Sequence, residues 1–203
     1  MNFSKFFSNI QEAPWYRSFL NPVINEVSTE GKLLDIGTGS GKLIQILSNE
    51  KDIECVGVDT NAEMLNEAKI KLKKTNVKLI KIEPNKTFNF ENGSFNYITI
   101  CNVLFHLKEG QIDFILNDAQ RLLKKDGKII VLTPTGNGNI LTLTKNYFSI
   151  KNYGINIWFY ATKNRAKLWM NNNYLKLYAT KNNLNYKSEI VMNGFAQLEI
   201  ITE

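Results

Sequence analysis

Residues 33–43 read "LLDIGTGSGKL", with Gly37, Thr38, Gly39, Ser40 and Gly41 set between an apolar run and a basic, apolar helix start. Glycines lack the Cβ that keeps a backbone away from a ligand, so such a loop lets the chain pass close against a nucleotide. A triphosphate-cradling loop needs G-x-x-x-x-G-K-[ST]. Aligned on Gly41 and Lys42, Ile36 falls on the first glycine and Leu43 on the magnesium-binding hydroxyl, so both positions fail. A dinucleotide fingerprint needs G-x-G-x-x-G; here the spacing is G-x-G-x-G, and Lys42 stands where the third glycine belongs. Hydride transfer is left only as an alternative.

Other chemistry-bearing residues are sparse. His106 is the one histidine of the chain and follows an apolar, strand-like run. It is a candidate general base, weighed against a capping or packing role. In "APWYRSFL" (13–20) Pro14 is placed to start a helix, which sends Trp15, Tyr16 and Arg17 to different faces. That segment reads either as a lid whose side chains meet a ligand or as a packing helix. Cys55 and Cys101 lie in apolar runs and read as buried free thiols; one histidine and two distant cysteines are too few for a metal site.

The elements that must hold these residues alternate. Apolar runs at 32–36, 54–58, 77–82, 95–100 and 127–132 predict strands, with amphipathic helices predicted at 41–49, 62–74 and 111–123. Thr60 or Asn61 is placed to cap the 62–74 helix. A helical stretch at 173–184 is followed by two extended runs joined by Asn193-Gly194, a hairpin signal. At 203 residues one domain is expected. Residues 1–30 are expected to form an N-terminal helical lid or cap. Residues 136–170, rich in Asn and aromatics, are expected to form a helical cap between strands five and six.

The net charge is +6, and from Gly136 to Ser188 there are eight basic residues and no Asp or Glu. Such a face reads as solvated surface, or as attraction for an anionic partner. With aromatics at 147–178 it also admits stacking against a nucleic acid strand. No apolar run approaches the ~20 residues of a membrane span, and no signal-peptide pattern is present; a cytoplasmic, reduced setting is expected.

Beyond this, the chain resembles the class I S-adenosylmethionine-dependent methyltransferases of the small-molecule type. Their first motif, an apolar strand ending in Asp/Glu-x-Gly-x-Gly-x-Gly, is matched by "LLDIGTGSG". "VGVDTNAEML", "SFNYITICNVLFHL" and "LLKKDGKIIVLTP" are similar to later motifs, with Asn96 where the family has Asp. The resemblance implies an α/β, Rossmann-like, doubly wound seven-stranded sheet, mostly parallel with an antiparallel C-terminal hairpin, in the order 3-2-1-4-5-7-6. It implies S-adenosylmethionine as cofactor, held by Asp35, Gly37, Thr38, Gly39, Gly41, Asp59, Thr60, Met64, Glu83, Cys101 and Asn102. Asp59 would accept from both ribose hydroxyls. The adenine contact falls on Pro84 in strict alignment, with Glu83 one residue away. The implied activity is methyl transfer to an O, N or C atom of a small molecule, anionic or aromatic, with His106 as base and Trp15, Tyr16 and Arg17 at the acceptor pocket. The alternatives are a cofactor-binding protein without turnover, or an RNA-directed methyltransferase. "CNVL" at 101–104 lacks the proline and aromatic ring of the base-amine enzymes, and Ile100 precedes Cys101 where the cytosine-C5 nucleophile needs Pro or Thr.

Overall fold

The computed structural model describes residues 3–138, 142, 145 and 154–203. Two helices, α1 (Phe3–Gln11) and α2 (Pro14–Glu26), precede β1 (Lys32–Ile36), α3 (Lys42–Glu50), β2 (Glu54–Asp59), α4 (Ala62–Lys71) and β3 (Lys78–Lys81). The second half runs β4 (Phe95–Cys101), α5 (Glu109–Leu122), β5 (Leu123–Pro134), α6 (Gly154–Asn172), α7 (Tyr174–Lys181), β6 (Asn185–Val191) and β7 (Ala196–Thr202). The seven strands form one sheet in the order β3-β2-β1-β4-β5-β7-β6, the expected order. The first five strands are parallel, and β7 enters antiparallel between β5 and β6.

Burial explains the strand sequences. Leu33, Leu34, Val56, Val58, Ile98 and Ile100 are at most 2% exposed, because helices cover both faces of the sheet. One layer of core packs the sheet against α2, α3 and the start of α6, the other against α5, α7 and the end of α6. Edge strands β3 and β6 are mostly exposed and carry lysines, which discourages pairing with a further strand. Asn61 caps α4 by accepting from the amides of Glu63 and Met64, at 2.9 and 3.1 Å. Asn96 Oδ1 accepts from the Lys32 amide at 3.0 Å, so Asn serves this contact in place of Asp.

Local departures have local causes. The predicted 127–132 strand begins earlier, at Leu123, and runs through an irregularity with Asp126 at φ 64 that shifts the register between Phe95↔Leu123 and Tyr97↔Lys128. The Asn193-Gly194 hairpin closes over a four-residue loop rather than a two-residue one. Val191 pairs with Ala196, and Met192, Asn193 and Gly194 all take positive φ. Of the helical cap expected over 136–170, residues 139–141, 143–144 and 146–153 lie outside the described residues, among them Tyr147, Phe148 and Tyr153; from Gly154 the chain is helical.

Candidate active site

A cleft of about 310 Å³ opens at the carboxyl ends of β1, β2 and β4, at the low end of the ~300–1,000 Å³ usual for ligand pockets. This is the edge where strand order reverses, the crevice that open α/β sheets use for ligands. Its floor is the glycine loop. Gly37 and Thr38 donate their amides to the Val58 carbonyl at 2.8 and 3.0 Å, which pins the loop to the end of β2. Gly37 has φ 75, and a Cβ there would stand 2.4 Å from Val103 Cγ2. Gly39, at φ 56, leaves space that a Cβ would take beside Met64 Cε, at 3.3 Å.

Two carboxylates flank the loop. Asp59 Oδ2 accepts from the Gly39 amide and Oδ1 from the Asn61 amide, both at 2.8 Å, so one side chain fixes the loop and the start of α4 together. Each oxygen retains a lone pair for a ligand. Asp35 is 3% exposed and accepts from Thr99 Oγ1 at 2.7 Å. Burial pushes its pKa up to about 6, opposed by the hydroxyls of Thr99 and Thr38, with nearby Asp59 adding to the rise. A buried carboxyl poised there is a natural partner for a ligand cation.

The roof comes from the N-terminal helices. Gln11 at the end of α1 and Tyr16 on α2 both line the cleft, and Gln11 Nε2 donates to Tyr16 Oη at 3.2 Å. Ser40 Oγ donates to Gln11 Oε1 at 2.5 Å and accepts from Lys71 Nζ at 2.8 Å. Glu12 meets both Lys42 Nζ and Lys71 Nζ at 2.5 Å. Burial would raise its pKa, but the two lysines prevail and hold it below the ordinary value. Burial, with Cys101 nearby, raises the Tyr16 hydroxyl well beyond use as a base. Burial also lifts the Cys101 thiol far above its usual range, which leaves it a neutral wall.

Of the residues singled out in the sequence, Asp35, Gly37, Thr38, Gly39, Asp59, Thr60, Met64, Cys101, Asn102, Tyr16 and His106 all line this one cleft. Four do not. Gly41, at φ 77, is the N-cap of α3, and a Cβ there would meet Leu72 and Ala68 of α4 at 2.9 and 3.2 Å, so its role is close helix packing. Glu83 lines an adjoining hollow with Thr60, Ile82 and Pro84, and pairs with Lys86 at 2.6 Å. Trp15 is fully buried in the core, its ring 5.0 Å from that of Trp158. Arg17 forks onto Glu50 at 2.5 and 2.8 Å, facing away from the cleft. Consecutive residues on a helix diverge by about 100°, so of the three only Tyr16 reaches the cleft. Sequence reasoning missed Gln11, Lys42, Val103, Leu107 and Ile115. Val103 and Leu107 sit inside the quoted "CNVLFHL" run and were open to notice, whereas nothing around Gln11 marks it.

The residues lining the cleft fit a nucleoside carrying a positive charge. Gly37 gives the space of a Cβ to Val103, and Gly39 lines the cleft beside Met64. Asn102 holds φ 61 at the end of β4, and its Oδ1 is a buried acceptor without a partner among the described residues. Asp59 has paired acceptors of the kind a diol would need, and the buried Asp35 carboxyl lines the same cleft. Backbone, amide and carboxylate groups of these types fit S-adenosylmethionine, which brings a ribose diol, an ammonium and a sulfonium.

The relationship to known proteins agrees. Residues 33–127 match the model of a family described as a methyltransferase domain. A Methanococcus maripaludis protein described as an S-adenosyl-L-methionine-dependent methyltransferase superposes with TM-score 0.72 at 18% identity, covering 98% of this chain and 91% of that one. A Pyrococcus horikoshii protein gives 0.65 at 22% identity, over 94% and 92%. An Aquifex aeolicus SAM-dependent methyltransferase gives 0.65 at 16%, over 89% and 87%. No curated protein matches the chain. The structural likenesses establish the fold, and the matched segment, together with them, supports S-adenosylmethionine as the cofactor. Residues 33–127 are thus similar to a methyltransferase domain, on a fold shared with S-adenosylmethionine-dependent methyltransferases.

Proposed function

We propose that the chain transfers a methyl group from S-adenosylmethionine to a small molecule seated beside His106 at the mouth of the cleft. The observation that carries this reading is convergence. Paired acceptors on Asp59, a glycine cradle, the buried Asp35 and the unpartnered Asn102 oxygen surround one cavity whose outer end is His106. Bound there, the cofactor supplies a methyl on a sulfonium, an electrophile whose leaving group is a neutral thioether.

The residues of the chain then have little covalent work. Their contribution is alignment and exclusion of water. Asp59 orients the ribose end, and the Gly37–Gly39 backbone allows close approach. Asp35 in its ionised form balances positive charge at the far end. Tyr16 and Gln11 cover the cleft from above, and their hydrogen bond keeps both polar groups satisfied beneath the roof. Cys101 and Tyr16 stay protonated near neutral pH and contribute walls rather than bases.

Calorimetric titration of S-adenosylhomocysteine into the protein, beside Asp59→Ala, tests this assignment. Micromolar binding that the variant loses supports it. Absence of binding in the unsubstituted chain overturns it and returns the fold to the role of an inactive scaffold.

A further inference from the structure

We propose that a second hollow, formed by the Leu104–His106 turn, the start of α5 and the C-terminal half of α6, receives the methyl acceptor, and that this acceptor carries an anionic oxygen group held by Arg165. The inference rests on the methyl-transfer reading and adds to it a location and a charge for the acceptor.

The hollow measures about 470 Å³ and shares His106 and Leu107 with the cofactor cleft, so a molecule within it abuts the cleft mouth. Its inner surface is apolar and aromatic. Phe105, Ile112 and Trp169 are 7, 4 and 6% exposed, and the Tyr174 ring stacks on Trp169 at an interplanar angle of 16°. Arg165 and Lys108 bring positive charge to its rim and Glu109 the single acidic group.

The three arginines of the chain differ in what they hold. Arg17 pairs with Glu50 at 2.5 Å and Arg121 with Asp118 at 2.7 Å. Arg165 pairs with no carboxylate among the described residues, and the undescribed ones contain no Asp or Glu. Its partner is the His106 ring, with Nη1 3.0 Å from Nδ1. A guanidinium presents five donors in a planar fork suited to a carboxylate or phosphate, and one contact to an imidazole leaves most of that fork unused.

The same contact decides what His106 can do. Guanidinium nitrogens only donate, so Nδ1 accepts and the ring proton of this neutral imidazole sits on Nε2. Burial lowers the His106 pKa and the Arg165 charge lowers it further, which keeps the ring neutral. In this state the one remaining polar atom of the ring is a donor. His106 therefore offers a hydrogen bond to the acceptor rather than taking its proton, and the general-base role set out from the sequence does not hold while Arg165 is in place.

Because His106 is the sole histidine, selective isotope labelling of histidine gives one imidazole signal to follow by NMR in the full chain saturated with S-adenosylhomocysteine. Benzoate and inorganic phosphate are the probes, with chloride at matched ionic strength as control. The expected result is a saturable shift of the His106 ring with an upward move of its pKa, as the anion offsets the guanidinium charge. Arg165→Gln should weaken that response at least about tenfold, the scale of one charge-assisted hydrogen bond, and Arg165→Lys should retain part of it. A response to benzoate identifies carboxylates as the class, and a response to phosphate alone identifies phosphates. No saturable response to either, or one that chloride or Arg165→Gln reproduces in full, overturns the proposal. S-adenosylhomocysteine binding is followed by titration of the same proteins and should change less than about twofold in Arg165→Gln. Its absence in the unsubstituted chain would defeat the methyl-transfer reading instead, so the two failures are distinguishable.

Discussion

The two ends of the active-site groove are built on opposite plans. The cofactor end is acidic and made of strand termini. Asp35 and Asp59 end neighbouring strands β1 and β2, and backbone amides of the intervening loop complete the surface. The mouth is basic and made of a turn and a distant helix, since Arg165 reaches His106 across 59 residues of sequence. One end suits a cationic nucleoside whose shape is set by chemistry common to many enzymes. The other, on the proposed reading, suits an anion and is assembled from a turn and a helix far apart in sequence. On that reading, cofactor and acceptor recognition are separated in charge, in position and in the part of the sequence that encodes them.

Substitution at Asp59 should divide the ends most sharply. Asp59→Ala removes the ribose acceptors and also releases the Gly39 and Asn61 amides, so S-adenosylhomocysteine affinity should fall by about 100-fold or more. An equal loss in Arg165→Gln would erase the distinction. Next in size, Gly37→Ala attacks the cofactor end through its backbone. With φ 75 and Val103 2.4 Å from the added carbon, chemical denaturation should show a loss of about 2–3 kcal/mol, and unchanged stability would mean that the loop can move.

Asp35 tests the acidic end through pH. Its folded pKa of about 6 exceeds the unfolded value of about 3.9. Between those values the folded state holds a proton that the unfolded chain has released. The contribution of Asp35 to stability therefore falls as pH rises through that window and is fully unfavourable above it. Asp35→Asn should thus stabilise the free protein by up to about 3 kcal/mol at pH 7 and by under about 1 kcal/mol at pH 4, while weakening S-adenosylhomocysteine. Thermal melts across pH with a parallel titration measure both; a variant that loses stability at pH 7 would contradict the sign. The smallest effect is expected from Glu12→Ala. Its carboxylate is 44% exposed, so stability should drop by under about 1 kcal/mol, yet product dissociation in stopped flow should quicken. An unchanged rate would show that α1 does not restrain the ligand.

What could be read in advance follows the same division. Periodicity placed every strand to within a few residues of its observed bounds, apart from the longer β5, because alternating or continuous apolar runs report burial directly. The glycine spacing and Asp59 led to the cleft because that whole arrangement lies within about one βαβ unit. Trp15 and Arg17 misled because helix spacing states that neighbours diverge without stating which of them faces inward. The function of Gly41 was hidden because a glycine for a ligand and a glycine for helix packing look the same until α4 is seen beside it. Gln11 and Arg165 were hidden for a further reason. Each acts through a partner distant in sequence, Ser40 or His106, and only the packing of α1 and α6 creates those meetings.

Helix α1 touches the cofactor end and the start of α6. Glu12 at its end grips Lys42 and Lys71 beside the glycine loop, while Ile10 rests so closely on α6 that a Cβ at Gly154 would stand 2.8 Å from it. The helix thus spans the glycine loop and the N-terminal end of α6, about three turns before Arg165. On the proposed reading it bears on the cofactor end, and release of the spent cofactor is the step that its lysine clasp would slow. Added salt, by loosening the lysine clasp, would speed the cycle even as it thinned the acidic grip on the cofactor.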